Sequence, residues 1–209
     1  MSRPRVVLAT RNQHKLDELR RIVEPAAPGV EVLGLDDVGA YAEPAETEPT
    51  FEGNALIKAR AACVATGLAA LADDSGICVD ALNGMPGVLS ARWSGRAKDD
   101  AANNTLLLAQ TADVPDERRG AEFRCAMALV LADGTELVEV GIMRGRLLRA
   151  ARGEGGFGYD PLFVAHGQRQ SNGELAPHDK DAISHRGKAL RAITPALVHR
   201  LGSNDQTTS

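Results

Sequence analysis

Aromatic side chains are scarce in this chain of 209 residues, which has one tryptophan, two tyrosines and four phenylalanines. Lysine is also scarce, with five against nineteen arginines, so a lysine inside a motif is informative. The cysteines Cys63, Cys78 and Cys125 are far apart and form no CxxC pair. That spacing excludes a disulfide framework and a cysteine zinc site, and it favours a reducing compartment.

Long hydrophobic runs are absent as well. The apolar stretch after Arg5 is too short for a signal peptide, and no run approaches the roughly 20 residues that a membrane span needs. A net charge of −4 and a pI near 5.8 argue against non-specific electrostatic binding to DNA or to an anionic membrane. We therefore expect a cytoplasmic protein that has neither nucleic acid nor membrane as a partner.

What the chain does contain is an ordinary globular balance of 44% hydrophobic and 25% charged residues. Apolar periodicity predicts strands that alternate with helices, followed by an antiparallel meander with a turn at Asp133-Gly134 and a final helix. The predicted strands are 5–9, 30–35, 68–73, 77–82, 123–131, 135–143 and 145–149, and the predicted helices are 13–24, 50–66 (capped by Thr50), 98–111 and 186–201. This order favours an α/β fold with a mixed central sheet flanked by helices. We expect one domain over 1–201 and a disordered tail over 202–209.

A polar block lies between the first predicted strand and the first predicted helix. It reads Thr10-Arg11-Asn12-Gln13-His14-Lys15. Helix N-termini present unpaired N–H groups and partial positive charge, which suit a phosphate group, and Lys15 adds an ammonium. The block contains no glycine, which excludes a Walker loop. It predicts a phosphate site, with a polar helix cap and a surface lysine as the alternative.

Two aspartates, Asp73 and Asp74, end the third predicted strand and precede Ser75-Gly76. Successive strand residues face opposite sides, so the two carboxylates should differ in role. Paired carboxylates at a strand end suit Mg²⁺, which binds one or two carboxylates together with waters and phosphate oxygens. The alternative interpretation is an Asp-Ser-Gly turn with ordinary turn chemistry.

A glycine-rich segment over 153–161 holds two of the seven aromatic residues, Phe157 and Tyr159. Glycines let the backbone approach a ligand, and a ring there is placed to stack on a nucleobase, a contact worth about 1–3 kcal/mol. The alternative is a loop that is pinned by Phe157 in the core.

A further polar block precedes the last predicted helix and contains Lys180, His185 and Arg186. The guanidinium of Arg186 and the ring nitrogens of His185 suit the hydrogen-bonding edge of a base. The alternative is a helix cap at Ser184 with solvated charges.

Together these blocks resemble the inosine triphosphate pyrophosphatase family, the XTP/dITP diphosphatases, from Val6 to about Leu201. The resemblance rests on six motifs in the family's order. They are Thr10-x-Asn12-x-x-Lys15, Asn54-Ala55-x-x-Lys58-Ala59, Ala72-Asp73-Asp74-Ser75-Gly76, Pro86-Gly87-x-x-Ser90-Ala91-Arg92, Gly155-Gly156-Phe157-Gly158-Tyr159-Asp160-Pro161 and Ser184-His185-Arg186-Gly187. The chain departs from the pattern at Glu48-Pro49, which replaces a glycine-containing step, and at Gly53, where a glutamate often stands.

The resemblance implies a two-lobed α/β fold with the active-site cleft between the lobes, a homodimer, and Mg²⁺ as cofactor. The implied metal-binding residues are Glu46, Asp74 and Asp73. The implied catalytic residues are Asp74, Lys15 and Lys58. The implied substrate-binding residues are Thr10, Arg11, Asn12, Gln13, His14, Lys15, Ser75, Phe157, Gly158, Tyr159, Asp160, Lys180, His185 and Arg186.

The implied reaction is hydrolysis of non-standard purine nucleoside triphosphates (ITP, dITP, XTP) to the monophosphate and pyrophosphate, which would cleanse the nucleotide pool. Positioning and charge neutralisation should dominate such chemistry, and Asp74 is left with two roles, proton acceptor or metal ligand. Two alternatives remain. A Maf-like pyrophosphatase would share the architecture but act on pyrimidine or modified nucleotides, and it fits the full set of blocks poorly. A non-catalytic nucleotide sensor would not need paired carboxylates beside a polyanion.

Overall fold

The computed structural model describes residues 3–39, 41–95 and 99–202. Its strands are β1 Arg5–Leu8, β2 Glu31–Leu33, β3 Ala69–Val79, β4 Gly120–Val130, β5 Glu136–Leu147 and β6 Phe163–Ala165. Its α-helices are α1 Gln13–Ala26, α2 Phe51–Thr66, α3 Asp100–Gln110, α4 Pro177–Ile183 and α5 His185–Gly202. The strands form one sheet in the order β2-β1-β3-β4-β5-β6.

The first part of the chain builds the parallel portion of the sheet. β1 pairs in parallel with β2 and with β3, and its residues Val6, Val7 and Leu8 are fully buried. Such a continuous apolar run is typical of a strand that is covered on both faces. The predicted strand 5–9 and helix 13–24 are confirmed to within two residues. The strand predicted over 30–35 is shorter, because a turn of 3-10 helix begins at Leu35.

The predicted helix 50–66 is confirmed, because its ends are set by local chemistry. The hydroxyl of Thr50 accepts a hydrogen bond from the N–H of Gly53 at 3.1 Å, which is an N-cap. Gly67 ends the helix in the left-handed region with φ at 68°.

The prediction of two strands, 68–73 and 77–82, separated by a turn is wrong. β3 runs without a break from Ala69 to Val79, and Asp73 and Asp74 lie in its middle. A Cβ at Gly76 would lie 2.3 Å from the Ser90 hydroxyl, so the glycine lets the segment around Ser90 lie directly against the strand. That hydroxyl accepts from the N–H of Ile77 at 3.0 Å, which satisfies the strand backbone where a turn was expected.

The meander is only partly as predicted. The turn at Asp133-Gly134 is confirmed, with the N–H of Leu131 donating to the carbonyl of Thr135 at 2.9 Å. The predicted strands 135–143 and 145–149 are instead one strand, β5, which pairs antiparallel with the unpredicted β6. A Cβ at Gly145 would lie 2.1 Å from the carbonyl oxygen of Val164, so this glycine permits strand pairing and does not interrupt it.

The parallel and antiparallel pairings confirm the predicted α/β class with a mixed sheet. α3 matches the helix predicted over 98–111 from Asp100 onward, and residue 98 lies outside the described residues. α5 matches the helix predicted over 186–201, whereas α4 was not predicted. No helix in the described part of the chain is long and apolar enough to cross a membrane.

The chain divides into two compact units. The first unit comprises the described residues of Met1–Asp74, Ala126–Gly141 and Arg186–Ser209, and the second comprises those of Ser75–Cys125 and Ile142–His185. The core of the second unit is built around fully buried Ile77, Leu107, Leu162 and Phe163. One domain over 1–201 and a tail over 202–209 stay predictions. α5 reaches Gly202, and 203–209 lie outside the described residues.

Candidate active site

The polar block 10–15 forms the start of α1, as its sequence predicts. Asn12 is the N-cap, and its Oδ1 accepts from the N–H of Lys15 at 3.3 Å. The hydroxyl of Thr10 in turn accepts from the N–H of Asn12 at 3.2 Å. The remaining members of the block are exposed, and these are Arg11, Gln13 and His14. The block therefore presents side chains to solvent at a helix N-terminus, where an anion is favoured.

Asp73 of β3 lies in a buried charge network with Lys15, Arg186 and Glu18, which we call the Asp73 network. Its Oδ2 accepts from the ammonium of Lys15 at 2.9 Å and from Nε of Arg186 at 3.2 Å. The Nη1 of Arg186 donates to Oε2 of Glu18. Burial alone would raise the pKa of Asp73, but the adjacent positive charges of Lys15 and Arg186 outweigh it and hold that pKa well below its usual value.

Asp74, the next residue on β3, contacts a different cation. The ammonium of Lys58 lies 2.8 Å from Oε1 of Glu46 and 3.5 Å from Oδ1 of Asp74, and we call these three residues the Lys58 cluster. Burial, followed by the negative charge of Glu46, raises the pKa of Asp74, although Lys58 opposes the shift. Burial lowers the pKa of Lys58, but its carboxylate neighbours outweigh that effect and raise it. The two aspartates thus occupy distinct electrostatic surroundings.

Asn54 joins the Lys58 cluster to the loop before α2 that carries Glu46 and Glu48. This fully buried residue donates from Nδ2 to Oδ2 of Asp74 at 3.2 Å and to the carbonyl of Glu48 at 3.2 Å. Its Oδ1 accepts from the N–H of Glu48 at 2.9 Å. The two departures from the family pattern are coupled here, because a Cβ at Gly53 would lie 2.6 Å from Cβ of Glu48. Gly53 thus leaves room for the side chain of Glu48.

The donor set around Lys58 fits a hard divalent cation. Glu46 and Asp74 turn carboxylate oxygens toward the same positive group, and Asn54 orients the second oxygen of Asp74. Among the described residues, no group of three or more His, Cys, Asp or Glu side chains is arranged to hold a metal ion. Two carboxylates completed by waters and phosphate oxygens match the usual surroundings of Mg²⁺. Asp73 differs, since its Oδ2 is engaged by two cations.

The glycine-rich segment of the second unit is organised by the buried carboxylate of Asp160. Its Oδ2 accepts from the N–H of Phe157 at 2.9 Å and from the ammonium of Lys180 at 2.6 Å. Its Oδ1 accepts from Nδ2 of Asn172 at 3.2 Å. Gly156 has φ at 73°, and a Cβ there would lie 2.3 Å from Oδ2 of Asp160, so only glycine fits. The ammonium of Lys180 also lies 4.8 Å from the ring centre of half-buried Phe157, a cation–π distance.

The backbone that follows Phe157, at Gly158, is held by a second element, α3. The carboxylate of Asp100 accepts from the N–H of Gly158 at 2.7 Å, and Nδ2 of Asn104 donates to the carbonyl of Gly158 at 3.0 Å. Tyr159, in contrast, is buried, and its hydroxyl donates to the carbonyl of Ser90 at 2.8 Å. Gly158 is thus fixed through both backbone groups, and Tyr159 anchors the segment.

His185 begins α5 and stacks on Phe123, with ring centres 4.9 Å apart and 15° between the planes. Its ring is buried, as expected for a group held in a defined orientation. Ser75 is half-buried on β3 directly after Asp74.

Within the first unit the structure brings together Lys15, Asp73 and Arg186, and separately Glu46, Lys58 and Asp74. Within the second unit it brings together Phe157, Asp160 and Lys180. Sequence reasoning missed Glu18, Asp100, Asn104 and Asn172 as contacts of these residues, and it used Asn54 only as part of a motif. The sequence offered one signal for Glu18: it follows Lys15 by three residues, and residues at that spacing share a helix face.

The Asp73 network and the Lys58 cluster thus lie on an α/β fold with a mixed sheet, and comparison with known proteins identifies the family of the chain. The model of the Ham1 family matches residues 6–196, and the chain belongs to that family.

Among the relatives, a protein of Nocardia farcinica named "dITP/XTP pyrophosphatase" is 61% identical over 199 residues, covering 95% of this chain and 97% of that protein. A crystal structure from Mycobacterium abscessus, described as a nucleoside-triphosphatase and dITP/XTP pyrophosphatase, is 56% identical with a TM-score of 0.75. It covers 91% of this chain and 99% of that one. The Ham1 protein of Staphylococcus aureus is 34% identical with a TM-score of 0.84, covering 94% of this chain and 99% of its own.

Proposed function

We propose that this protein is a nucleoside triphosphate pyrophosphatase that hydrolyses non-standard purine nucleotides, dITP, XTP and ITP, to the monophosphate and pyrophosphate. The observation that carries the proposal is the approach of Glu46 and Asp74 to one ammonium, that of Lys58. Relatives at 54–61% identity over most of the chain bear the name dITP/XTP pyrophosphatase, which supports the same substrates. The alternative of a binding protein gives no reason for this pairing.

Family membership agrees with a divalent-metal cofactor, and we propose Mg²⁺ held by Glu46 and Asp74. When bound, the ion supplies positive charge to the phosphate oxygens and orients a water. Burial raises the pKa of Asp74 against the opposing charge of Lys58, and a raised pKa suits a carboxylate that accepts a proton from the attacking water. Asn54 orients its carboxylate. Asp73, which precedes Asp74 on β3, contributes its negative charge and contacts Lys15.

In the proposed reaction, water attacks the α-phosphorus, the bond to the bridging oxygen breaks, and pyrophosphate leaves with the bonding electrons. Lys15 and Lys58 neutralise the growing negative charge, and the start of α1 (Thr10 to Lys15) provides donors for the triphosphate. Ser75 and Lys180 are also assigned to the substrate. Asp160 is assigned to the substrate as well, and its carboxylate also binds the ammonium of Lys180 and the N–H of Phe157.

For the base we assign the ring face to Phe157, the enclosing backbone to Gly158 and Tyr159, and the edge to His185 and Arg186. A guanidinium has only donors, so it matches the 6-oxo acceptor of hypoxanthine or xanthine and opposes the 6-amino group of adenine. Sites that hydrogen-bond a substrate group reject a mismatched analogue by up to about 10⁴-fold. We further propose a cytoplasmic homodimer.

The test is a comparison of kcat/KM for dITP, XTP and ITP with that for dATP and dTTP, at fixed Mg²⁺. The proposal predicts a preference of about 10²-fold or more for the 6-oxo purines. Preference for dTTP would favour the Maf-like alternative, and tight binding of dITP without turnover would favour a nucleotide sensor.

A further inference from the structure

Glu18 is a buried carboxylate for which the proposed reaction has no use. It lies on α1, three residues after Lys15, and its side chain is 3% exposed. An ionised carboxylate in such surroundings requires a charged or hydrogen-bonding partner. The partner is Arg186, whose side chain is 1% exposed and whose Nη1 donates to Oε2 of Glu18.

Arg186 itself stands where a cation is disfavoured. It is the second residue of α5, an 18-residue helix, and the N-terminal turn of a helix carries partial positive charge. Its guanidinium therefore depends on carboxylates, and the network provides two, Glu18 on Nη1 and Asp73 on Nε. Three elements, α1, β3 and α5, meet at this arginine within the first unit.

The carboxylate of Asp73 serves two cations with one oxygen. Its Oδ2 lies 2.9 Å from the ammonium of Lys15 and 3.2 Å from Nε of Arg186. The formal charges of the four residues cancel, two positive against two negative. Without Glu18 the network would hold an excess positive charge, and Arg186 would compete with Lys15 for the remaining carboxylate.

Lys15 is the most exposed member of the Asp73 network. Its side chain is 17% exposed, against 1% for Asp73 and for Arg186. We propose that Glu18 is a positioning residue: it holds Arg186, so that the carboxylate of Asp73 stays available to orient the ammonium of Lys15 toward the triphosphate. This inference rests on the proposed function, in which Lys15 binds the triphosphate.

The main experiment compares Glu18→Gln with the wild type and with Glu24→Gln, which removes the same charge from an exposed position on the same helix. The readouts are kcat/KM for ITP and the inhibition constant of inorganic tripolyphosphate, a probe that has no base. We expect Glu18→Gln to weaken tripolyphosphate binding and to lower kcat/KM, each by about tenfold, and Glu24→Gln to change neither.

A merely structural role is distinguished by a double-mutant cycle. If Glu18 acts through Lys15, then Glu18→Gln adds little to the loss caused by Lys15→Ala, whereas independent effects would multiply. Independent losses, or an unchanged inhibition constant in a folded Glu18→Gln protein, would overturn the inference.

Glu18→Gln leaves the buried guanidinium of Arg186 with one carboxylate fewer, which can destabilise the protein. A second variant is therefore needed whose folding does not depend on that charge pair. The double variant Glu18→Leu with Arg186→Met removes both charges, and apolar replacement of a buried ion pair is often tolerated. We expect it to fold and to bind tripolyphosphate within about threefold of the wild-type affinity, because Arg186 then no longer competes with Lys15 for the carboxylate of Asp73. Binding about tenfold weaker in this folded double variant would contradict the inference. A wild-type protein that neither hydrolyses ITP nor binds tripolyphosphate would instead refute the proposed function.

Discussion

Asn54 donates from Nδ2 to Oδ2 of Asp74 at 3.2 Å, and the same side chain binds both the N–H and the carbonyl of Glu48. One buried amide therefore fixes the carboxylate proposed for catalysis and the loop that carries Glu46. An amide suits this place because it offers donors and an acceptor at once, which no carboxylate or hydroxyl provides in the same geometry.

Replacing Asn54 by aspartate should be costly. Asn54→Asp keeps the acceptor for the N–H of Glu48 but sets a carboxylate against Asp74 and against a carbonyl. We expect the free energy of unfolding to fall by about 1–3 kcal/mol and the pKa of Asp74 to rise further. Urea unfolding measures the free energy of unfolding, and the pH dependence of ITP turnover reports the pKa of Asp74. Asn103→Asp is the matched control, because buried Asn103 uses its Oδ1 as an acceptor for Ser94. Equal behaviour of the two variants would contradict the assigned role of Asn54.

The pKa of Asp74 should respond in opposite directions to its two neighbours. Burial and Glu46 raise it while Lys58 lowers it. Glu46→Gln should therefore move the titration of Asp74 to lower pH, and Lys58→Met should move it to higher pH. Carboxyl-carbon NMR of the metal-free protein follows this titration directly. A shift of the same sign in both variants would show that these charges do not govern Asp74.

Asp73 should make the protein acid-sensitive. Its pKa is lowered in the folded state, whereas in the unfolded chain it lies near 3.9. The unfolded state therefore binds a proton first, so the stability that this group contributes is present above about pH 4 and is lost as the pH falls below that value. Asp73→Asn should flatten the decline in unfolding free energy between about pH 4 and pH 2. An unchanged slope in urea titrations across that range would refute the assignment.

The two hydrogen bonds between α3 and the backbone of Gly158 should affect nucleotide binding. Asn104→Ala removes the donor to the carbonyl of Gly158 and leaves the bond from Asp100. We expect KM for ITP to rise by about three- to tenfold with little change in kcat, because the segment next to Phe157 loses its order before binding. Thr105→Ala is the control, since the hydroxyl of Thr105 donates only to the carbonyl of Ala101 on its own helix in the contacts described. Equal KM values for the two variants would indicate that Gly158 needs no such support.

Local chemistry explains what could be predicted from the sequence. The cap at Thr50, the block at 10–15 and the motif residues Lys58 and Asp74 are recognisable from neighbouring positions. The turn predicted at Asp-Ser-Gly failed because the continuity of β3 depends on Ser90, which lies outside any local window.

Long-range pairing hid the rest of the candidate site. Glu18 and Arg186 are 168 residues apart in the chain, and the spacing of Glu18 from Lys15 does not show that its carboxylate is buried against a guanidinium. The contacts of Gly158 with α3 are similarly remote, at 54 and 58 residues.

The most direct test of the central claim is the identity of the products formed from ITP and Mg²⁺. We predict one pyrophosphate and one IMP for each ITP consumed, without release of orthophosphate. We also predict that a folded Asp74→Asn variant falls below about a tenth of the wild-type kcat, a loss of more than about 1.4 kcal/mol of transition-state stabilisation. Release of orthophosphate with IDP, or an Asp74→Asn protein that keeps more than that fraction, would contradict the account.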